Sequence, residues 1–343
     1  MGTSMKKNII TILLAVLIIG LGFNTKMLAQ DRQKLAQTGM KFLGVSTDAK
    51  VSSMGDAITS IFGTSTSMLY NPAGMADLQS NVDVSVGNLQ WIADINYLYA
   101  TIAFQPFSDN YGIFGFSVVN VNYGDFIGTI RKDNDQGFEE VGTFSPTALV
   151  IGFSYAKMLS QKFAIGANIK YATQSLGSGV VGFNADGSYR TKSFSTDVFA
   201  FDFGLIYRTG FKSLNIGMSL SNFSQEIKFV EEGFQLPLLF KLGVSMDVLD
   251  LLDVNKETHS MMVSVDATHP RDYPEQILIG AEYLFLQSFA IRVGYRTPTD
   301  IGGFSAGAGV KVNIGGMALG VDYSYAPADV FDYVQRIAVK FAF

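Results

Sequence analysis

The 343-residue sequence contains no cysteine, which excludes disulfide bonds and thiolate metal sites. Charged residues are scarce, at 16% of the chain, and the net charge is −5. A chain without a basic patch is not expected to bind nucleic acid. Long apolar runs are also missing after the N-terminus, where none approaches the ~20 residues that a membrane-spanning helix needs. The sequence therefore predicts neither a nucleic-acid partner nor a transmembrane helix in the main part of the chain.

What the sequence has instead is alternation of apolar residues with small or charged ones, as in 163–171, 289–296, 317–325 and 333–343. Successive side chains of a strand point to opposite faces, so each of these segments has one apolar face. The second face is rich in glycine, alanine and serine, whereas a soluble β-sandwich would carry large polar groups there. The pattern favours strands that contact lipid on the outside and surround something else on the inside.

From residue 82 to residue 343 we predict an all-β fold, a transmembrane outer-membrane β-barrel of about 14 antiparallel strands. Such barrels have an even number of strands, with short periplasmic turns and longer outer loops. The longer connections are expected at 124–143, 175–195 and 223–235. The predicted strands lie near 82–90, 96–106, 111–123, 144–157, 162–174, 196–209, 211–222, 236–248, 259–268, 274–286, 288–297, 302–313, 315–326 and 332–343. The tyrosines expected in aromatic girdles near strand ends are Tyr97, Tyr99, Tyr155, Tyr171, Tyr207, Tyr283, Tyr295 and Tyr333.

Residues 1–29 predict a secretory signal peptide. Two lysines precede the apolar stretch 9–23, and the small residue Ala29 stands at the expected cleavage point. A membrane anchor is the alternative, but the apolar stretch is short for a span. No cysteine follows the expected cleavage point, so we do not expect a lipoprotein. We expect an exported protein that begins at Gln30.

Residues 30–81 lack the alternation of the strands that follow. Within them, Asn71, Pro72, Ala73 and Gly74 predict a tight turn, because proline fixes φ and glycine tolerates positive φ. A barrel of about 14 strands has a lumen too wide for its own side chains to fill. We therefore expect 30–81 to be an N-terminal plug inside the barrel formed by 82–343.

The inner face of the last six predicted strands carries charged residues that are the candidate functional groups. They could line a path for substrate or cargo, or form cross-strand ion pairs that hold plug and wall together. These residues are Asp266, Glu282, Arg292, Arg296, Lys311, Asp322, Arg336 and Lys340. The only histidines, His259 and His269, flank one predicted strand and would lie on opposite sides of the membrane. No catalytic residue, metal site or cofactor is predicted, and we do not expect an enzyme.

An ordered set of motifs resembles the PorV/PorQ family of outer-membrane proteins. The N-terminal motifs are Lys41-Phe42-Leu43-Gly44-Val45, Ala49-Lys50-Val51-Ser52-Ser53-Met54-Gly55-Asp56-Ala57 and Leu69-Tyr70-Asn71-Pro72-Ala73-Gly74-Met75-Ala76. Later ones are Val141-Gly142-Thr143-Phe144, Ile151-Gly152-Phe153-Ser154-Tyr155-Ala156, Leu220-Ser221-Asn222-Phe223, Ile279-Gly280-Ala281-Glu282-Tyr283 and Ile291-Arg292-Val293-Gly294-Tyr295-Arg296. The sequence departs from the family at Lys50, where arginine is common, and at Ser53 and Asp56, where glycine is common. The family's usual acidic pair is absent around 63–65.

The resemblance implies a plugged barrel related to the FadL-type fatty-acid transporters. It also implies a non-enzymatic role in type IX protein secretion, in which cargo is bound and handed over at the cell surface. The expected partners are outer-membrane lipid, the secretion translocon, cargo C-terminal signal domains and an attachment complex. The alternative is a FadL-like conduit for hydrophobic small molecules, which an apolar pocket with a lateral opening in the wall would favour. Plug and barrel are common to both functions, so the sequence leaves the choice open.

Overall fold

The structure, a computed structural model, describes residues 38–106, 111–252 and 254–343. The predicted signal peptide, the cleavage point after Ala29 and residues 30–37 of the predicted plug lie outside the described residues. Within the described part of the chain, no helix has the length and apolar character required to cross a bilayer.

Among the described residues, fourteen antiparallel strands close into a barrel, which confirms the predicted fold class. Its first and last strands pair with each other, and reciprocal backbone hydrogen bonds of 2.8 and 2.9 Å join Val82 to Phe343. The barrel strands are β1 (Val82–Gln90), β2 (Asn96–Phe104), β3 (Ile113–Asn122), β6 (Thr147–Ser160), β7 (Phe163–Phe183), β8 (Tyr189–Arg208), β9 (Asn215–Ser224), β12 (Leu239–Asp247), β13 (His259–Pro270), β14 (Gln276–Phe285), β15 (Phe289–Thr297), β16 (Phe304–Ile314), β17 (Met317–Pro327) and β18 (Tyr333–Ala342). Two small hairpins are formed by β4 (Phe126–Arg131) with β5 (Phe138–Phe144), and by β10 (Ile227–Lys228) with β11 (Gly233–Phe234).

Closure satisfies the backbone hydrogen bonds that a bilayer cannot satisfy, and the alternating residues give each strand an outer and an inner face. In β18, Tyr333 and Ile337 are half exposed on the outer face, whereas Arg336 and Ala338 are buried on the inner face. The outer face is apolar, as a lipid-facing wall requires.

The girdle prediction was wrong for Tyr97 and Tyr99, which are 2% and 1% exposed and face inward. Both faces of β2 contain apolar residues, so the alternation of its sequence does not reveal which face is outside.

The predicted outer loops contain more strand than expected. The β4–β5 hairpin occupies most of 124–143, and a small hairpin lies within 223–235. Strands β7 and β8 extend to Phe183 and from Tyr189, so their connection is only 184–188 instead of 175–195. Register shifts beside Gly177 and Gly182 let this pairing continue. At the other end of the barrel, the strand predicted from residue 211 begins at Asn215 because a turn occupies the preceding residues.

Residues 38–81, here called the interior segment, form short helical turns joined by extended chain. They comprise one α-helix, Ala49–Ser53, and the 3₁₀-helices Lys41–Gly44, Ser65–Leu69 and Pro72–Asp77. The Asp48 carboxylate caps the α-helix by accepting a 3.0 Å hydrogen bond from the Val51 N–H. Further 3₁₀-helices lie in barrel connections, at Ile92–Asp94, Val248–Leu251 and Asp329–Phe331.

The interior segment contacts inward-facing residues on opposite sides of the barrel. The Ser65 N–H donates to Asp83 on β1 at 2.8 Å, and the Thr59 N–H donates to Asp266 on β13 at 2.9 Å. The α-helix packs against β15 to β18, and the 3₁₀-helix Pro72–Asp77 packs against β6 to β8. The segment therefore contacts the inner face of the wall at several strands, while the plug and its limits drawn from the sequence remain a prediction.

Candidate functional site in the barrel interior

The four-residue motif at Asn71–Gly74 anchors the interior segment to the wall. Asn71 is 2% exposed, and its side-chain amide donates to the Thr59 carbonyl at 2.6 Å and to the Leu205 carbonyl at 3.3 Å. Its Oδ1 accepts from the Ala73 N–H at 3.1 Å, and Pro72 occupies the first position of the following 3₁₀-helix. Proline suits that position because its missing N–H would have no partner there.

Glycines of the wall allow the segment to lie against the barrel backbone. A β-carbon on Gly204 would lie 1.8 Å from Asn71 Oδ1, and one on Gly294 would lie 2.0 Å from the Gly55 nitrogen. Any larger residue at either position would push the segment away. The small inner-face residues in the sequence therefore have a packing role.

Six charged side chains form a continuous ion-pair network between the α-helix and β14 to β18. Lys50 pairs with Glu282 at 3.1 Å, and Glu282 also pairs with Arg292. The network continues from Arg292 to Asp322 at 2.6 Å, from Asp322 to Lys340 at 3.0 Å and from Lys340 to Asp48 at 3.1 Å. Three cations and three carboxylates alternate, so the network is neutral. Four of its members were predicted as lumen charges.

The other predicted lumen charges lie outside this network. Asp266 accepts from the Thr59 N–H, and Arg296 pairs with Asp56 at 3.1 Å. Arg336 donates through Nε to the Ser46 carbonyl at 2.8 Å. Lys311 is exposed near the short turn that joins β16 to β17.

The backbone conformation at Asp56 explains why glycine is common at this position in the family. Its φ is +65°, in the left-handed region that glycine adopts without strain. Here the side chain present at this position supplies the partner of Arg296.

Sequence reasoning did not single out several polar residues of the interior as candidate functional groups. Tyr99 donates to Asp48 Oδ2 at 2.8 Å, and Lys170 pairs with Asp202 at 2.8 Å on the inner faces of β7 and β8. Asp48 carried a usable signal, since an aspartate before Ala49-Lys50-Val51 is a typical helix N-cap. Lys170 and Asp202 alternate with apolar residues, and the alternation alone would have placed them inside.

A cavity of about 340 Å³, here called the mouth cavity, lies between the interior segment and the end of the barrel that carries the long connections. In outer-membrane barrels that end faces the cell exterior. Its charged lining residues are Lys41, Asp56, Lys241, Asp272, Arg296, Asp300 and Arg336, and its apolar ones include Val45, Trp91, Leu239, Leu278 and Ile301. It therefore combines a charged inner part with an apolar wall.

Asp272, in the connection after β13, ties the start of the interior segment to the rim. It accepts hydrogen bonds from Lys41 and Thr38. Burial raises the pKa of the Asp272 carboxyl, but these hydrogen bonds outweigh burial and bring its pKa below the ordinary value. The carboxylate is therefore ionised at neutral pH.

The β4–β5 hairpin and the outer parts of β7 and β8 meet at the rim of the barrel and expose large apolar side chains. Tyr189 donates to Glu139 at 3.1 Å, which joins the β7–β8 hairpin to β5. The hydrogen bond from Lys132 lowers the pKa of Glu139, and the one from Tyr189 lowers it further. Ile127 and Phe183 are 63% and 66% exposed. The rim thus presents apolar surface on a scaffold held by polar contacts.

The histidines lie at opposite ends of β13, as predicted, and each has its own partner. His259 hydrogen-bonds Tyr283 at 2.7 Å, and His269 contacts Glu275 at 2.8 Å. Within the described residues, no group of three or more acidic, histidine or cysteine side chains could hold a metal ion.

Comparison with known proteins identifies the family of the chain. The family model described as "Type IX secretion system protein PorV" matches residues 28–267, more than half of the sequence. The chain belongs to the PorV family. No curated protein matches the sequence.

The solved structures that are similar to this PorV-family chain have low sequence identity to it. The toluene transporter TbuX of Ralstonia pickettii is 13% identical with a TM-score of 0.56, covering 87% of this chain and 97% of that one. The toluene transporter TodX of Pseudomonas putida is 11% identical with a TM-score of 0.54, covering 87% and 97%. A FadL homologue of Pseudomonas aeruginosa is 12% identical with a TM-score of 0.55, covering 87% and 98%. At these identities the likeness concerns the fold, and family and fold together place the chain in the bacterial outer membrane.

Proposed function

We propose that this PorV-family barrel is a non-enzymatic component of type IX protein secretion that binds exported cargo at the cell surface and hands it over. The family match is the observation that carries the proposal. The partners would be the secretion translocon, the C-terminal signal domains of cargo and a surface attachment complex. Such a role requires an exposed surface that binds and releases a polypeptide, and no reacting group.

The outer rim supports this role, because it offers that surface. Strands β7 and β8 extend the wall into a long hairpin, which contacts β5 through Tyr189 and Glu139. Exposed apolar side chains such as Ile127 and Phe183 suit recognition of a polypeptide. Several connections at the opposite end are very short, 161–162, 286–288 and 315–316 among them, although 248–258 is longer.

A conduit for hydrophobic small molecules is the second candidate, favoured by the structural likeness to hydrocarbon transporters. It would require an apolar path past the interior segment. The inner face carries charged side chains such as the buried Arg292 and Asp322 and the largely buried Lys340, and charged groups line a path for an apolar solute poorly. This charge content favours the secretion role.

A disulfide tether tests whether the interior segment must move for cargo to be displayed. Ser65 of the interior segment and Thr101 of β2 have side-chain oxygens 2.8 Å apart, and the sequence has no native cysteine. Replacing both, as Ser65→Cys and Thr101→Cys, should allow the segment to be locked to the wall under oxidation. We expect oxidised and reduced cells to display exported cargo equally. Loss of display only in the oxidised double variant, with each single variant normal, would contradict the proposal.

Shortening the outer hairpin tests the docking surface directly. Gly177 and Phe194 are paired, so residues 178–193 can be replaced by an Asn-Gly turn that keeps the membrane part of β7 and β8. Cargo display should be lost while barrel levels in the outer membrane stay unchanged. The control is an Asn-Gly insertion between Gly315 and Gly316, at the opposite end. Normal cargo display together with reduced uptake of a hydrophobic compound would instead support the conduit.

A further inference from the structure

The inner part of the mouth cavity has an excess of buried positive charge. Three cations, Lys241, Arg296 and Arg336, line this part of the cavity with one carboxylate, Asp56, while the Asp266 carboxylate close to Lys241 lies behind the lining. Lys241 is 8% exposed, yet among the described residues its ammonium makes no ion pair and no hydrogen bond. Arg336 is 4% exposed and its only hydrogen bond within the same residues goes to the Ser46 carbonyl. Buried charges are costly unless they are paired, so this arrangement is suited to an anion.

Several polar atoms around the same cavity are buried without a hydrogen-bond partner in the described part of the chain. They include two donors, Arg296 Nε and Arg336 Nη1, and one carboxylate acceptor, Asp56 Oδ1. The hydroxyls of Thr268 and Ser305, which can donate or accept, are also buried without a hydrogen-bond partner. Buried polar groups in proteins normally have partners. The unused donors fit an anion, and the unused acceptor fits an N–H group beside it.

The remaining wall is apolar and of a size suited to a small ligand or a chain end. Trp91, Leu239, Leu278 and Ile301 line it, and the Arg336 guanidinium lies 5.6 Å from the centre of the Trp91 ring. Its volume of about 340 Å³ lies at the lower end of the ~300–1,000 Å³ typical of ligand pockets.

We propose that the mouth cavity binds a carboxylate that carries an adjacent N–H donor and an apolar group. The carboxylate of the ligand would accept hydrogen bonds from the cationic side chains of the cavity. Its N–H would donate to Asp56, and its apolar group would pack on Trp91. An N-acylated amino acid and the C-terminal residue of a polypeptide share this chemistry. The site does not depend on the secretion role, because every group involved belongs to the barrel and its interior segment.

Trp91 is the only tryptophan of the sequence, so its fluorescence reports directly on this site. The purified full chain in a non-ionic detergent is titrated with N-acetyl-leucine and with N-acetyl-leucinamide, its neutral analogue. A pentapeptide that ends in leucine is tested with a free and with an amidated C-terminus. We expect N-acetyl-leucine and the pentapeptide with a free C-terminus to change the Trp91 fluorescence in a saturable way. Their amides should bind at least tenfold more weakly. The source is a polypeptide end if the pentapeptide binds more than tenfold tighter than N-acetyl-leucine, and a small molecule otherwise.

Substitutions then test the assigned groups. Lys241→Met and Arg336→Gln should each weaken binding of the better acid at least tenfold. Lys311→Met is the matched control, because Lys311 is on the same inner face but near the opposite end of the barrel. Folding of each variant is checked by heat-modifiable gel migration. If Arg336→Gln does not fold, the proposal is tested by the binding of Lys241→Met alone. The proposal is overturned if no acid gives a saturable change, if amides bind as well as acids, or if Lys241→Met binds like the unmodified protein.

Discussion

Removing one carboxylate from the six-charge network should destabilise the barrel strongly. Asp322 is 7% exposed and accepts from Arg292 at 2.6 Å and from Lys340 at 3.0 Å. Asp322→Asn leaves three cations with two carboxylates in a buried site. Breaking a buried ion pair by removing one partner costs about 3–5 kcal/mol. We expect a loss of that size in the free energy of unfolding.

A charge-balanced double variant tests the reasoning behind that magnitude. Asp322→Asn combined with Arg292→Met leaves two complete pairs, Lys50 with Glu282 and Lys340 with Asp48. The loss in the free energy of unfolding of the double variant should therefore be smaller than the sum of the two single losses. The difference should be roughly 0.5–3 kcal/mol, the range found for coupled residues. Unfolding is followed across a urea series in lipid vesicles by heat-modifiable gel migration, with Lys311→Met as the control. Strictly additive losses, or a loss below about 1 kcal/mol for Asp322→Asn, would refute the network as a cooperative unit.

Three further predictions use the same protein. Val339→Arg should cost up to ~2–4 kcal/mol in the same urea series, because the outer face of β18 meets lipid, with the largest cost near the midplane. Gly204→Val should release the interior segment to limited proteolysis while the barrel stays folded, since its β-carbon would lie 1.8 Å from Asn71 Oδ1. The lowered pKa of Asp272 means that its contact with Lys41 stabilises the protein above the ordinary aspartate pKa of about 3.9, and that this stability is lost as the pH falls through the lower folded value. Trp91 fluorescence should therefore stay constant from pH 7 to about 4 and change below, whereas Asp272→Asn should show the altered signal already at pH 7.

The sequence could predict the barrel because lipid imposes a strict pattern on the strands. Where one face must be apolar, as in β15 and β18, alternation reveals both the strand and its inner residues. Alternation assigns Arg292 and Lys340 to the inner face in this way, and in the structure both take part in the ion-pair network. The even strand number followed from the same pattern and from the turn chemistry.

The rest could not be predicted because the same constraint is absent outside the bilayer and within the lumen. The outer parts of β7 and β8 face water on both sides, so their glycine- and serine-rich sequence is compatible with a loop. In β2 both faces are apolar, and Tyr99 was assigned to the wrong one. Asp48 and Lys50 lie in a segment without periodicity, so their pairing with the wall depends on tertiary contacts alone.

The charges of the interior bear on which function the barrel can perform. Withdrawal of the interior segment would break the pairs of Lys340 with Asp48 and of Glu282 with Lys50, and would leave Lys340 with Asp322 and Glu282 with Arg292 as remaining partners. It would also remove Asp56 from Arg296 and leave the wall of the mouth cavity with cations and no opposing carboxylate from the segment. Separating these ion pairs has a free-energy cost, because the charges that remain in the wall lose part of their compensation. A transport route through the lumen would need to offset this cost each time a solute passed. A binding surface on the outer rim leaves the segment in place. The ion pairs therefore favour function at the rim, and the disulfide tether between segment and wall tests this inference, because loss of display in the oxidised double variant would contradict it.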